Sequence, residues 1–231
     1  MTVKRRHRIG AMVLAIAMAF SMVGSAILSY FYGGGLPAAN PSAVSAPDPA
    51  REFADLKSSA QALTEAVKAN PDNLELQTQL GNTYYDLGMM AFNLAPDEAK
   101  GYLEQAVTSY QTVLASKKDI NITADLATAA FNAGNNDLAE KSFQAVLAEN
   151  PDFYPALFNY GRFLFDAKKD YAGAVRVWQK ASGVSSSDQD KQILQTLITA
   201  AQDQLEASLN GPAANGASSS SGSSNSPASG K

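Results

Sequence analysis

The side chains that perform most enzyme chemistry are nearly missing from this chain, whose 231 residues include no Cys and one His, His7. Thiolate nucleophiles, disulfides and thiolate metal sites are excluded together, and imidazole chemistry is confined to one position in a basic N-terminal tip. Carboxylates, Lys, Tyr and Ser are left. The closely spaced acids, Asp137 with Glu140 and Asp188 with Asp190, fall at expected helix starts, where the positive end of the helix dipole favours a carboxylate without any catalytic role. The sequence contains no Gly-rich phosphate loop, no metal-ligand cluster and no nucleophile elbow. A protein that is not an enzyme, with no cofactor or metal, is expected. Asn121-Ile122-Thr123 forms a glycosylation triplet, a pattern that arises often by chance.

Charge narrows the partners. Of the 18 Lys and Arg, four precede Ile9, so the rest of the chain sets 14 against 22 Asp and Glu, a net of −8. Such a surface argues against nucleic acid and against anionic lipid headgroups.

The chain up to Tyr32 reads as a membrane signal. After Lys4, Arg5, Arg6 and Arg8, the whole run from Ile9 to Tyr32 contains no Asp, Glu, Lys or Arg. At about 1.5 Å per residue, a helix of that length spans a hydrocarbon core of roughly 30 Å with some tilt. A cleaved signal peptide is the rival reading, with a site at Gly24-Ser25-Ala26 that would release a secreted adaptor. The apolar run continues past that site through Ile27, Leu28, Tyr30 and Phe31, which favours a retained anchor. The flanking cations place residues 1–8 in the cytoplasm and the folded part outside it. Residues 33–50, with three consecutive Gly and four Pro, read as a semi-extended spacer. Residues 211–231, almost wholly Ser, Gly, Ala, Asn and Pro, carry too little apolar surface to offset the entropy of ordering.

Between these segments a pattern of landmarks comes round three times. Gly81, Ala127 and Gly161 each follow a large apolar residue, and Ala106, Ala139 and Ala174 come next. Four places after each of those Ala stands a ring, Tyr110, Phe143 and Trp178. The landmarks recur with a period of about 34 residues, except that the interval from Gly81 to Ala127 is longer. Pro71 and Pro151 stop helices, whereas Lys118 and Ser186 stand at the corresponding ends of the other two repeats.

This period and these landmarks resemble the tetratricopeptide repeat family over about Leu74 to Ser186. The resemblance implies an all-α, right-handed solenoid of helical hairpins, with repeats at about 74–118, 120–151 and 154–186 within a domain of 51–210. In such hairpins the Gly and Ala landmarks let two helices approach closely, and the ring fills the gap toward the next repeat. Periodic apolar residues add an amphipathic helix over Arg51–Asn70 and a capping helix over 188–209. The architecture is similar to that of membrane-anchored bacterial assembly factors of this family, such as those serving cytochrome c maturation, secretion or outer-envelope biogenesis.

The first repeat is irregular, because the stretch from Met89 to Gly101 is added at the tip of its hairpin. Both helices are expected to extend by nearly two turns, with Pro96 in the first turn of the second. Met89, Met90 and Phe92 either form a second contact surface or pack against Tyr102 and Leu103.

The resemblance also implies where a partner would bind. First helices of this family line a concave groove that receives a peptide or a partner helix, and positions one and four places after the Gly landmark face it. Here these are Asn82 and Tyr85, Thr128 and Phe131, and Arg162 and Phe165. Asp86, Asn132 and Asp166 follow one place later, and Phe158 joins them from the same face. Three rings in register with polar groups suit an extended segment. Thr78 stands where a Lys would be wanted for the clamp by which some members hold a C-terminal carboxylate, so that ligand is not expected. A membrane-anchored scaffold for protein partners is the expected function, with a self-associating structural protein as the other alternative to the secreted adaptor.

Overall fold

A computed structural model describes residues 48–210. The expected cytoplasmic tip, the spanning segment, the spacer up to residue 47 and the C-terminal tail lie outside the described residues. Among the described residues no helix is long and apolar enough to cross a membrane.

Within them lie eight α-helices and no strand. They are α1 (Pro49–Ala69), α2 (Leu74–Leu94), α3 (Pro96–Ser116), α4 (Ile120–Asn132), α5 (Asn136–Glu149), α6 (Tyr154–Phe163), α7 (Tyr171–Val184) and α8 (Asp188–Leu209). Each helix packs chiefly on its neighbours in sequence, giving hairpins α2/α3, α4/α5 and α6/α7 between two flanking helices.

Local chemistry sets the boundaries. Asp48, Asn73, Asp119, Asn135, Asp170 and Ser187 each accept a hydrogen bond from a backbone N–H of the helix they precede, satisfying a donor that has no partner within the helix. Helices α3 and α6 lack such a side-chain cap and have a Pro in the first turn, where its missing N–H costs nothing.

The added stretch of the first repeat lengthens both its helices, as expected. Helices α2 and α3 have 21 residues each, against 13 and 14 for α4 and α5, with the turn at Ala95 and with Asp97 and Glu98 in the first turn of α3. The inner face of the extension is occupied: Leu87, Ala91 and Ala99 form one buried cluster with Phe53 and Ala60 of α1, and Met90 and Tyr102 pack against it. The extra turns thus seat α1.

The small landmarks are packing sites. A Cβ added to Gly81 would stand 2.8 Å from the Tyr110 ring, and one added to Gly161 would overlap the Trp178 indole. The ring of the second helix therefore lies on the Gly of its own hairpin. Phe143 also reaches forward, with its centroid 5.5 Å from Tyr160 and 6.1 Å from Phe163 of the next repeat. Tyr110, Phe143 and Trp178 are all buried, as are Ala106, Ala139 and Ala174.

The third repeat contains a feature the sequence reading missed. The interval from Gly161 to Ala174 is one residue longer than that from Ala127 to Ala139. The surplus residue is taken up by one turn of π-helix over Leu164–Lys168, closed by the Lys169 N–H donating to the Leu164 carbonyl. Lys169 then adopts φ 55°, a left-handed conformation that Gly134 supplies with φ 82° in the second repeat. A Cβ is disfavoured there. Lys169→Gly is expected to raise stability by about 0.5–1 kcal/mol, read as a higher midpoint of urea unfolding.

Candidate functional site

The first helices of the three hairpins form one connected wall. Asn82, Tyr85 and Asp86 lie on α2, Thr128, Phe131 and Asn132 on α4, and Phe158 and Arg162 on α6, with Phe165 and Asp166 on the π turn. Asn132 Nδ2 donates to the Tyr85 hydroxyl at 3.3 Å, joining α2 to α4, and to the Thr128 carbonyl at 3.0 Å. The Arg162 guanidinium lies 5.7 Å from the centre of the Phe131 ring, joining α6 to α4. Asn82 Oδ1 accepts from the Tyr110 hydroxyl at 2.9 Å, tying the wall to the second helix behind it.

The three rings expected in register do not share one environment. Tyr85 and Phe131 are half-buried parts of this chain of contacts, Phe131 standing edge-on to Phe163 at 5.6 Å. Phe165 turns toward its own hairpin, 5.3 Å from Tyr171 and 5.9 Å from Trp178. Phe158 gives its carbonyl to Trp178 Nε1 at 3.0 Å, and its ring lies 6.2 Å from Tyr154.

A carboxylate the sequence reading did not single out completes the wall. Asp125 sits three places before Thr128 and seven before Asn132, a spacing that puts all three on one helix face. Its charge, with those of Asp86 and Arg162, acts on Tyr85, whose hydroxyl is pushed up to about 12 chiefly by loss of water. Asp86 is pushed up to about 6 by loss of water and then by Glu52 of α1. Asp125 keeps an exposed surface, yet the protein around it also pushes its carboxyl up to about 6, by loss of water and then by Asp119. Asp166 is raised by loss of water, against the pull of Arg162 and Lys169. Neither Asp86 nor Asp125 has an ion-pair or hydrogen-bond partner among the described residues.

These raised carboxylates make stability depend on pH. Asp86 holds its proton more tightly folded than unfolded, so its penalty is absent below about pH 4, the unfolded value, and fully present above about 6. Stability falls as pH rises through that window. Asp86→Asn is expected to add about 1 kcal/mol at pH 7.5 and almost nothing at pH 4, after allowance for partial solvent screening. Urea unfolding at both pH values checks this.

The second surface divides. Met90 packs into the α1 cluster and Met89 is half-buried, whereas Phe92 is 47% exposed and Leu94 42%. Behind this tip a cleft of about 640 Å³ runs between α1 and the first hairpin, lined by Lys57, Gln61, Thr64, Tyr84 and Tyr102 among others. Its polar groups are largely satisfied by one another: Thr64 bonds Tyr84, and Glu98 takes both Lys57 and Tyr102. The connected polar wall, rather than this cleft, offers groups to a ligand.

Stacked helical hairpins with one shared wall of first helices define the chain as a helical-repeat protein of the kind that scaffolds protein interactions. Residues 124–183 match the tetratricopeptide repeat family model. No curated protein sequence matches the chain. Among solved structures it is similar to a crystal structure of MamA protein, at 19% identity and TM-score 0.49, covering 69% of this chain and 84% of that one. A second crystal structure of MamA matches at 17% identity and TM-score 0.43, covering 74% of this chain and 100% of that one. The MamA RS-1 ArsTM double mutant matches at 17% identity and TM-score 0.45, covering 70% of this chain and 93% of that one.

Proposed function

We propose that this chain is a membrane-anchored, extracytoplasmic scaffold, without enzymatic activity of its own, that holds a segment of a partner protein along the wall of α2, α4 and α6. The observation that carries the reading is the run from Tyr85 through Asn132 and Phe131 to Arg162, which crosses all three first helices with half-buried rings and polar groups. Such a run suits an extended segment, whose backbone needs hydrogen bonds and whose side chains need apolar contacts. The anchor and its orientation rest on the uncharged run from Ile9 to Tyr32 and on the cations before it. A role in cell-envelope assembly, including cytochrome c maturation, is consistent with that placement.

A photo-crosslinking residue at Thr128 in the living cell tests the wall, with one at Phe92 as the comparison. Capture of a protein from Thr128 that is lost on Tyr85→Ala supports the reading. Capture from Phe92 alone would move the working surface to the hairpin tip. A reporter active only outside the cytoplasm, fused after residue 210, tests the orientation, and an isolated protein that begins near Ile27 would replace the anchor with a secreted adaptor.

A further inference from the structure

We infer that the segment held on this wall is basic, an extended stretch of the partner protein with a Lys or Arg beside an apolar residue. The inference rests on the wall being the binding surface, as proposed above. Three carboxylates line it, Asp86 on α2, Asp125 on α4 and Asp166 on the π turn. Among the described residues, the cations whose charge acts on them are Arg162 and Lys169, and these act on Asp166. The charges acting on Asp86 and Asp125 are those of further acids, Glu52 and Asp119.

Several cations are committed elsewhere. Lys57 is held by Glu98 at 2.8 Å, Lys168 by Glu140 at 2.9 Å and Lys117 reaches Asp119 at 4.0 Å. The protein thus pairs its surface charges in several places and leaves Asp86 and Asp125 uncompensated, although an unpaired, partly desolvated carboxylate lowers stability. A feature that opposes folding and has no partner within the fold is expected where a ligand supplies the partner.

Groups beside the carboxylates fit the rest of such a segment. Asn82 accepts through Oδ1 and keeps its amide hydrogens, whereas Asn132 donates through Nδ2 and keeps its oxygen, so a peptide backbone finds both a donor and an acceptor. The Phe131 ring offers apolar contact next to them. An acidic segment would meet Arg162 and face three carboxylates, a like-charge arrangement that discriminates strongly against it.

The test uses the full chain in non-ionic detergent and two fluorescein-labelled pools of twelve-residue peptides. The pools share their apolar residues and differ in carrying Lys and Arg or Asp and Glu at the charged positions. Anisotropy is expected to show the basic pool binding about tenfold tighter or more at low salt, with the preference shrinking as salt screens the charges. Asp86→Asn with Asp125→Asn is expected to weaken the basic pool about fivefold and to tighten the acidic one. The same loss should appear in the unsubstituted protein as pH falls from 7.5 to 5.5, because the two carboxylates take up protons. Glu52 on α1, Tyr85 on α2, Tyr110 on α3, Asp119 before α4 and Arg162 on α6 are the charged and titratable groups that face them. A preference for the acidic pool that Tyr85→Ala abolishes would overturn the charge inference and leave the wall as the binding surface. Binding of neither pool, or binding that no wall substitution alters, would overturn both.

Discussion

Trp178→Ala is expected to lower the stability of the folded domain by about 3–5 kcal/mol. The indole is 1% exposed, lies on Gly161 of the facing helix and donates from Nε1 to the Phe158 carbonyl at 3.0 Å. Truncation empties a large volume and leaves that carbonyl without its side-chain donor, so cavity and desolvation costs add. Gly161→Ala attacks the same contact from the other side. Its new Cβ would overlap Nε1, and the ring cannot retreat freely because its hydrogen bond and the Phe165 ring at 5.9 Å hold it. That substitution is expected to cost about 1–3 kcal/mol in the native background and almost nothing once Trp178 is already Ala. A double-mutant cycle by urea unfolding measures the difference. Equal costs in both backgrounds would show that Gly161 is required for some reason other than the indole.

The stack was legible because its signals are local. A ring four places after a small residue, repeated three times, marks the hairpin contacts, and Tyr110, Phe143 and Trp178 are buried at those places. The extension was legible as an added stretch, but what it packs against was not, since Phe53 and Ala91 are distant in the chain and only the fold joins them. The wall was legible in part. Positions counted from the Gly landmark assume a regular α-helix, which holds on α2 and α4, where Asn132 meets Tyr85. It fails after Phe163, where the π turn rotates everything beyond it and carries Phe165 toward Trp178. The cause was present as one surplus position between Gly161 and Ala174, yet a surplus of one does not say whether a loop or a helix absorbs it. Asp125 was passed over because on α4 only the positions after the landmark were read, although helical periodicity carries the same face one turn earlier.

Leu103→Ala is expected to cost about 2–5 kcal/mol and to act at the opposite end of the stack. Leu103 is fully buried and fills the space that Gly88 leaves, where an added Cβ would stand 2.5 Å from its Cγ. Around that contact lies the cluster of Leu87, Ala91 and Ala99 on which α1 is seated through Phe53 and Ala60. Repeats of this kind touch only their neighbours, so the loss is expected to be local. Hydrogen exchange should lose protection first in α1, α2 and α3, while α6 and α7 around Trp178 keep theirs, and Trp178→Ala should give the reverse pattern. Uniform loss along all eight helices would instead mean that the domain opens as one unit. The local outcome has a consequence for the wall, since Tyr85 and Asp86 sit on α2 directly before the extension and Tyr85 reaches α4 through the Asn132 hydrogen bond at 3.3 Å. Loosening α2 is then expected to weaken capture of a partner from Thr128 without altering any residue of the wall, which would assign the lengthened hairpin the role of bracing the first helix against the second repeat.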